Sequence, residues 1–370
     1  MELEGCVRAA CSRRWFLMAA PAACFGQARP PLQNFPSAIK RYSDPSTEFT
    51  VVRLTDPAYT SRLGASYGRA VSRRTNFMLY ACDISGRFEA YQLDLKNGQI
   101  RQLTRSEDLD PASLTLLADD RSFCYVDGRR LMMVQLSNLR SREVYRIPEG
   151  FERGQGFSVA EDGQYAALVE KKGSGHGLQL IRMLNGTAQT LAEGEEELGD
   201  PIPRPRRASV LYRRDKAVWM VNYDGQQKHQ LHLADGETGP ARWSPDGRTV
   251  QYLNYPANPH QLHNLREMTP DTNEDKQIAN TTQYVSFACN ADASVFIGAS
   301  GSKASPHVLL LVRAVKRELT LAEHRASDPT MVAPIFAPNS QRIFFTSDQH
   351  GKPAIYTMNI ERFVEQTEEQ

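Results

Sequence analysis

"ARWSPDGRTVQYLNY", Ala241 to Tyr255, is the stretch on which the fold turns. A short run ends in a tight Ser-Pro-Asp-Gly turn, and a second run rich in aromatic and β-branched residues follows, which together predict a β-hairpin. The pattern returns as "FSVAEDGQYAALVE" at 157, "FACNADASVFIGAS" at 287 and "IFAPNSQRIFFTSD" at 335. Weaker copies are "AVSRRTNFMLYACD" at 70, "LTLLADDRSFCYVDG" at 114 and "IPRPRRASVLYRRD" at 202. Most copies run on into a third and a fourth strand, as in "EAYQLDLKNGQIRQLT", where Asn97 and Gly98 close the turn.

Seven copies at about 40–50 residues each, with four strands per unit, predict an all-β chain folded as a seven-bladed β-propeller. The units nearly fill the chain, so a second domain has no room. The last unit, Pro334 to Ile360, supplies only three strands, while "TEFTVVRLT" at 47–55 is a strand without partners. Pairing the two closes the ring and removes its free edges. The organisation that follows is an export signal at 1–28, a linker at 29–46, the propeller at 47–360 and a polar tail at 361–370. In such a ring the innermost strands line a channel and loops converge at its mouth, so ligand-binding groups are expected at the start of each repeat.

Composition narrows the partners. Lys plus Arg number 44 against 43 Asp plus Glu, a net charge of +1, which offers no field to gather nucleic acid. A local basic pocket remains open. At the N-terminus, Ser12, Arg13 and Arg14 precede Trp15, Phe16, Leu17 and an apolar run too short to span a bilayer. This reads as a twin-arginine export signal ending in small residues near Ala28, or as a general secretory signal; either puts the mature chain in the periplasm or outside the cell. Cys82, Cys124 and Cys289 are odd in number and widely spaced, so they predict buried apolar thiols rather than disulfides or zinc ligands.

Catalytic motifs are sparse. No histidine belongs to a Gly-x-Ser-x-Gly elbow or a His-Glu-x-x-His run. His229 and His232 sit three apart on an alternating strand and so face opposite sides, while His260 and His263 read as surface loop residues.

"RIFFTSDQHGKPAIYTMNI" at 342–360, with "VVRLTDP" at 51, "YQLDLKNGQIRQLT" and "WSPDG", resembles the oligogalacturonate lyase family over about residues 40 to 360. The resemblance implies a propeller that cleaves pectin fragments by β-elimination, with manganese held by histidines and a glutamine, a histidine base and an arginine. A cation is needed there because the proton α to a uronate carboxylate is weakly acidic and charge builds up as it leaves. The family's Gln and His-Pro-His-Pro run falls on Asp328, Met331, Ala333 and Pro334, and its other metal histidine on Ser286. Its base falls near Pro240 and its catalytic arginine near Ala217. The chain thus reads as a lyase scaffold without the lyase's metal and base residues, so no catalytic residue and no metal ligand is assigned.

Arg62, Tyr67, Arg204 and Arg242 stay as candidate substrate-binding residues, since a guanidinium can hold the carboxylate of an acidic sugar. His350 reads as structural, and Asp328 with His324 or another nearby oxygen or nitrogen donor is an alternative site that the spacing does not demand. The competing reading is a non-catalytic, TolB-like propeller that holds a peptide or protein partner in its channel.

Overall fold

The computed structural model describes residues 32–258 and 260–364. The predicted signal at 1–28 lies outside them. Every described copy of the hairpin pattern forms the expected turn. In the 241–255 stretch the Gly247 amide donates to the Ser244 carbonyl, and Gly247 takes φ +70°, a left-handed conformation that glycine adopts without a Cβ penalty. Arg242 and Gln251 face each other across the resulting strand pair.

Seven antiparallel sheets follow one another around the ring. Blade 6 shows the plan, running outward from the channel as Tyr284–Cys289, Val295–Ser300, His307–Val312 and Arg317–Glu323. Each sheet packs both faces, which is why its strands read as apolar runs rather than clean alternation. Seven hydrophobic clusters form, one between each pair of adjacent blades. The count decides closure, because an open ring of seven would have one interface fewer.

The closing strand is the one the sequence left unpaired. Thr50–Arg53 joins Ala354–Asn359 of blade 7 through Val52↔Thr357 and Arg53↔Tyr356. Val51 on this strand is fully buried in the cluster between blades 6 and 7, a burial that contributes about 1.5–3 kcal/mol. Two boundaries differ from the sequence reading. Within the expected linker, Lys40–Ser43 forms the outermost strand of blade 7, and Asn34–Phe35 pairs with Ile100–Gln102 of blade 1. The cause is apolar content in a segment read as polar: Tyr42 packs on one interblade cluster, and Phe35 and Ile39 on the next. The expected tail also starts with structure, a helical turn at Glu361–Val364 whose Phe363 ring lies 5.1 Å from that of Phe49.

Cys82, Cys124 and Cys289 are free and buried, as expected. No helix among the described residues is long and apolar enough to cross a membrane.

Three innermost strands are interrupted, and the interruptions shape the channel. In blade 1, Ser61–Arg62 pairs with Phe77–Cys82, then the chain leaves the ladder until the Val71–Met78 bridge. Tyr67 lies on that excursion. In blades 2 and 7 the strand is preceded by short 3-10 turns at Pro111–Ser113 and Pro329–Val332, each capped by an aspartate, Asp110 and Asp328.

Candidate functional site

A cavity of about 410 Å³ occupies the channel, and every blade contributes to its wall: Tyr67, Leu117, Ala160, Pro205, Arg242, Asn290 and Ala337 come from blades 1 to 7 in order. It opens where the inner strands end, on the face of the polar turns. The sequence expectation placed ligand groups at the other end, where the repeats start and where Arg62 lines a cavity of about 90 Å³. The turns present small or cyclic residues to their mouth, among them Ala118, Pro245, Ala291 and Pro338. At the opposite mouth, where the strands begin, charged residues are tied to one another. Arg213 reaches Asp200 at 3.2 Å and donates to the Thr238 and Gly239 carbonyls of the next blade, and Arg153 lies 3.8 Å from Asp110.

Arg242 is the side chain in the channel whose needs are least met. It also lines a smaller cavity of about 100 Å³ with Ala288 and Cys289 of blade 6 and Phe336 of blade 7. Its Nε and Nη1 are buried with no hydrogen-bond partner among the described residues. Across the strand pair, fully buried Gln251 leaves both Oε1 and Nε2 without a partner. An unmet buried polar group costs about 1–3 kcal/mol, and more when charged, so this corner of the fold is built to receive water or a ligand. Burial pushes the neighbouring Cys289 thiol up, and the charge of Arg242 opposes that only in part.

Tyr67 crosses from blade 1 and packs against the cluster between blades 4 and 5, which contains Ile202 and Trp243. Burial raises its phenol well above the ordinary value, and the charges of Asp200 and Asp110 add to the shift. It therefore stays neutral, offering a hydroxyl and a ring face.

The other two candidates separate from this pair. Arg204 is turned into the blade 4–5 interface with only 3% of its side chain exposed. Its Nε donates to the Gly247 carbonyl at 2.6 Å, its terminal nitrogens meet Asp271 at 3.4 Å, and its guanidinium lies 4.7 Å from the Trp243 ring. Those partners leave it no reach into the channel, and its assignment as a substrate-binding residue is corrected to an interblade clasp. Arg62 is exposed at the start mouth, in a cavity of about 90 Å³ with Met331 and Ala333, and has no acidic partner among the described residues.

The manganese site implied by resemblance can be tested on the same residues. Met331 and Ala333, onto which the resemblance puts the family's histidines, carry no imidazole, and Asp328 uses Oδ1 to accept from the Thr330 amide and hydroxyl at 2.9 and 2.7 Å. His324 is fully buried, its Nε2 bonded to the Ser300 carbonyl and its Nδ1 accepting from the Ala326 amide. Both ring nitrogens are taken, which removes the alternative Asp328–His324 pair. Among the described residues no three His, Cys, Asp or Glu side chains converge on one point. The residues present do not fit the metal.

His350 and His263 are structural as well. His350 Nδ1 meets the Tyr356 hydroxyl at 2.9 Å, and half-buried His263, read from sequence as a surface residue, bonds the Tyr284 carbonyl and packs on the Tyr255 ring at 4.3 Å. What sequence reasoning missed is Gln251, whose apolar strand context hides a cross-strand neighbour of Arg242.

Fold and channel together define a closed seven-bladed propeller with an arginine and a tyrosine facing its central cavity. A family model described as oligogalacturonate lyase matches residues 32–172. An oligogalacturonide lyase of Pectobacterium atrosepticum is 25% identical, the match covering 88% of this chain and 97% of the relative. An oligogalacturonate lyase of Dickeya dadantii is 27% identical, with 86% and 95% covered. Over residues 32–172 by the family model, and over most of its length by these two relatives, the chain is similar to oligogalacturonate lyases. For the fold, a solved oligogalacturonate lyase in complex with manganese superposes with a TM-score of 0.84 at 24% identity, covering 89% of this chain and 97% of that one. The oligogalacturonate lyase of Vibrio parahaemolyticus does so equally well at 22% identity, with 90% and 99% covered.

Proposed function

We propose that this chain is an exported propeller that binds acidic, uronate-containing oligosaccharides in its central channel and does not carry out metal-dependent β-elimination. One observation carries the reading: Arg242 holds buried guanidinium donors toward the channel with no acceptor among the described residues to meet them. A carboxylate satisfies such a group by charge-assisted hydrogen bonds, and a sugar ring can lie against Tyr67 beside it. The named relatives act on oligogalacturonate, which supplies the class of acid.

Elimination asks for more. Pro240 has no proton acceptor on its side chain, and Ser286, Met331 and Ala333 supply no imidazole to hold a cation. Calorimetric titration of the mature protein with digalacturonate, run beside the ultraviolet absorbance of the unsaturated uronate product in manganese, tests both halves. Binding heat without absorbance is expected, with Arg242→Ala weakening binding by about tenfold or more. A chelator-sensitive rise in absorbance overturns the non-catalytic half, and unchanged affinity in Arg242→Ala overturns the site. Export rests on Ser12, Arg13 and Arg14 ahead of the apolar run. Replacing both arginines with lysine should trap the precursor in the cytoplasm.

A further inference from the structure

The turn mouth continues into a groove that the channel reading does not use. A second cavity of about 630 Å³ shares Arg73, Ala118, Ala160 and Glu161 with the channel cavity, so the two are contiguous. Its far wall carries Arg206, Tyr165 and Tyr223. The two tyrosine rings lie 5.1 Å apart and are inclined at 54°. Arg73 and Arg206 have no acidic partner within ion-pair distance among the described residues, although Glu161 and Asp162 line the same groove.

Local structure holds this wall in place. Arg206 sits at φ +60°, an uncommon conformation for a residue with a Cβ, between Pro205 and an Arg207 fixed to Asp271 at 2.7 Å. Arg204 is bound to the same aspartate. The neighbours of Arg206 are thus tied down while its own guanidinium is left free. A groove with two unpaired guanidinium groups and a pair of tyrosine faces suits a chain that alternates carboxylates with flat sugar rings.

We infer that an acidic oligosaccharide enters by the turn mouth, with one unit at Arg242 and Tyr67 and further units along the groove on Arg73, Arg206, Tyr165 and Tyr223. This rests on the channel reading and adds a direction and a length preference to it. The opposite mouth, where Arg62 lies with Met331 and Ala333, then carries no part of the ligand.

The test is calorimetry with mono-, di-, tri- and tetragalacturonate on the wild type, on the double variant Arg73→Ala/Arg206→Ala and on Arg62→Ala. In the wild type, affinity should rise about tenfold from the dimer to the tetramer, the factor that one well-placed charge-assisted contact supplies. The double variant should flatten that rise to less than about twofold, and the residual rise should not respond to salt. Arg62→Ala should keep the full rise. If the rise survives in the double variant, or vanishes in Arg62→Ala, the chain leaves by the other mouth and the inference is wrong. If no galacturonate of any length binds, the channel reading fails and takes the groove with it. All three arginines are exposed and outside the interblade clusters, so the variants should fold.

Discussion

Arg204 and Arg242 look alike in sequence, each on an inner strand just ahead of a polar turn, yet the structure assigns them opposite roles. Replacing each with methionine, which keeps a long apolar stem and removes the charge, should separate the roles. In Arg204→Met the fold loses a charge-assisted bond to the Gly247 carbonyl, worth about 1.5–3 kcal/mol in a buried setting. It also loses the stack on Trp243, worth about 0.5–2 kcal/mol, and a longer contact to half-exposed Asp271 worth up to about 1 kcal/mol. Methionine recovers some of the packing, so the net loss should be about 2–4 kcal/mol. Arg242→Met removes a charge whose buried donors have no partner among the described residues, so it should leave stability unchanged or raise it by about 1–2 kcal/mol. Urea unfolding followed by tryptophan fluorescence reads the first difference, since Trp243 sits under Arg204, and calorimetry with digalacturonate reads the second. Arg204→Met should unfold early and bind normally; Arg242→Met should unfold no earlier and bind poorly. The reverse pattern in both assays would refute the assignment.

Other outcomes follow from the same contacts. His324 has its pKa lowered by burial and by the nearby charge of His307, against the Ser300 bond and Asp348, which favour the charged form. The unfolded chain therefore takes up a proton first, so the stability His324 gives is full above its ordinary value of 6.5 and falls as pH drops from there toward the lowered folded value. Thermal melts of wild type and His324→Gln should converge over that window. Asp44, 2% exposed, accepts from the Ser46, Thr47 and Glu323 amides, which outweigh its burial and hold its pKa below the ordinary range. Asp44→Ala should lower stability by about 2–4 kcal/mol in denaturant at neutral pH, and that difference should shrink as the wild-type carboxylate is protonated in acid. Gly156, at φ +109° with Pro201 Cδ 2.5 Å from where a Cβ would stand, should not tolerate alanine. A loss of about 1–3 kcal/mol is expected in urea, and no loss would mean the blade 3–4 contact is looser than drawn.

The propeller was legible because its information is local and repeated. Each turn writes its own Asp, Gly, Asn or Ser, and the period counts the blades without reference to any contact. The N-terminal strands were harder to read. Lys40–Ser43 has one aromatic among polar neighbours, and only its partner strand shows which face Tyr42 buries. Of the site, residue types were legible and side-chain directions were not. Arg204 and Arg242 both follow a short extended run, and whether such a side chain turns into an interface or toward the axis depends on the pleat and on what the next blade offers. Asp271, 67 residues from Arg204, settles that for one of them. The cavity at the turn mouth was hidden for a similar reason, since the turn residues that mark each hairpin are also the small ones that leave it room.

The stability of this fold and the chemistry of its channel draw on different atoms. The apolar clusters lie between blades, and the one around Val51, Phe345 and Tyr356, which holds the ring shut, meets the channel cavity of about 410 Å³ through Phe336 at its edge. Where the two overlap, as at Trp243, the overlap is managed by a residue like Arg204 that faces the interface and leaves the axis to its neighbour. A propeller built this way can keep its architecture with Met331, Ala333, Ser286 and Pro240 at the positions onto which the resemblance puts the family's imidazoles, because none of those four side chains belongs to an interblade cluster. The architecture therefore fixes a channel of a given width and leaves its occupant to the few residues that point inward. In this chain those include an arginine with unmet donors and a tyrosine, the two groups on which the proposed binding of an acidic sugar rests.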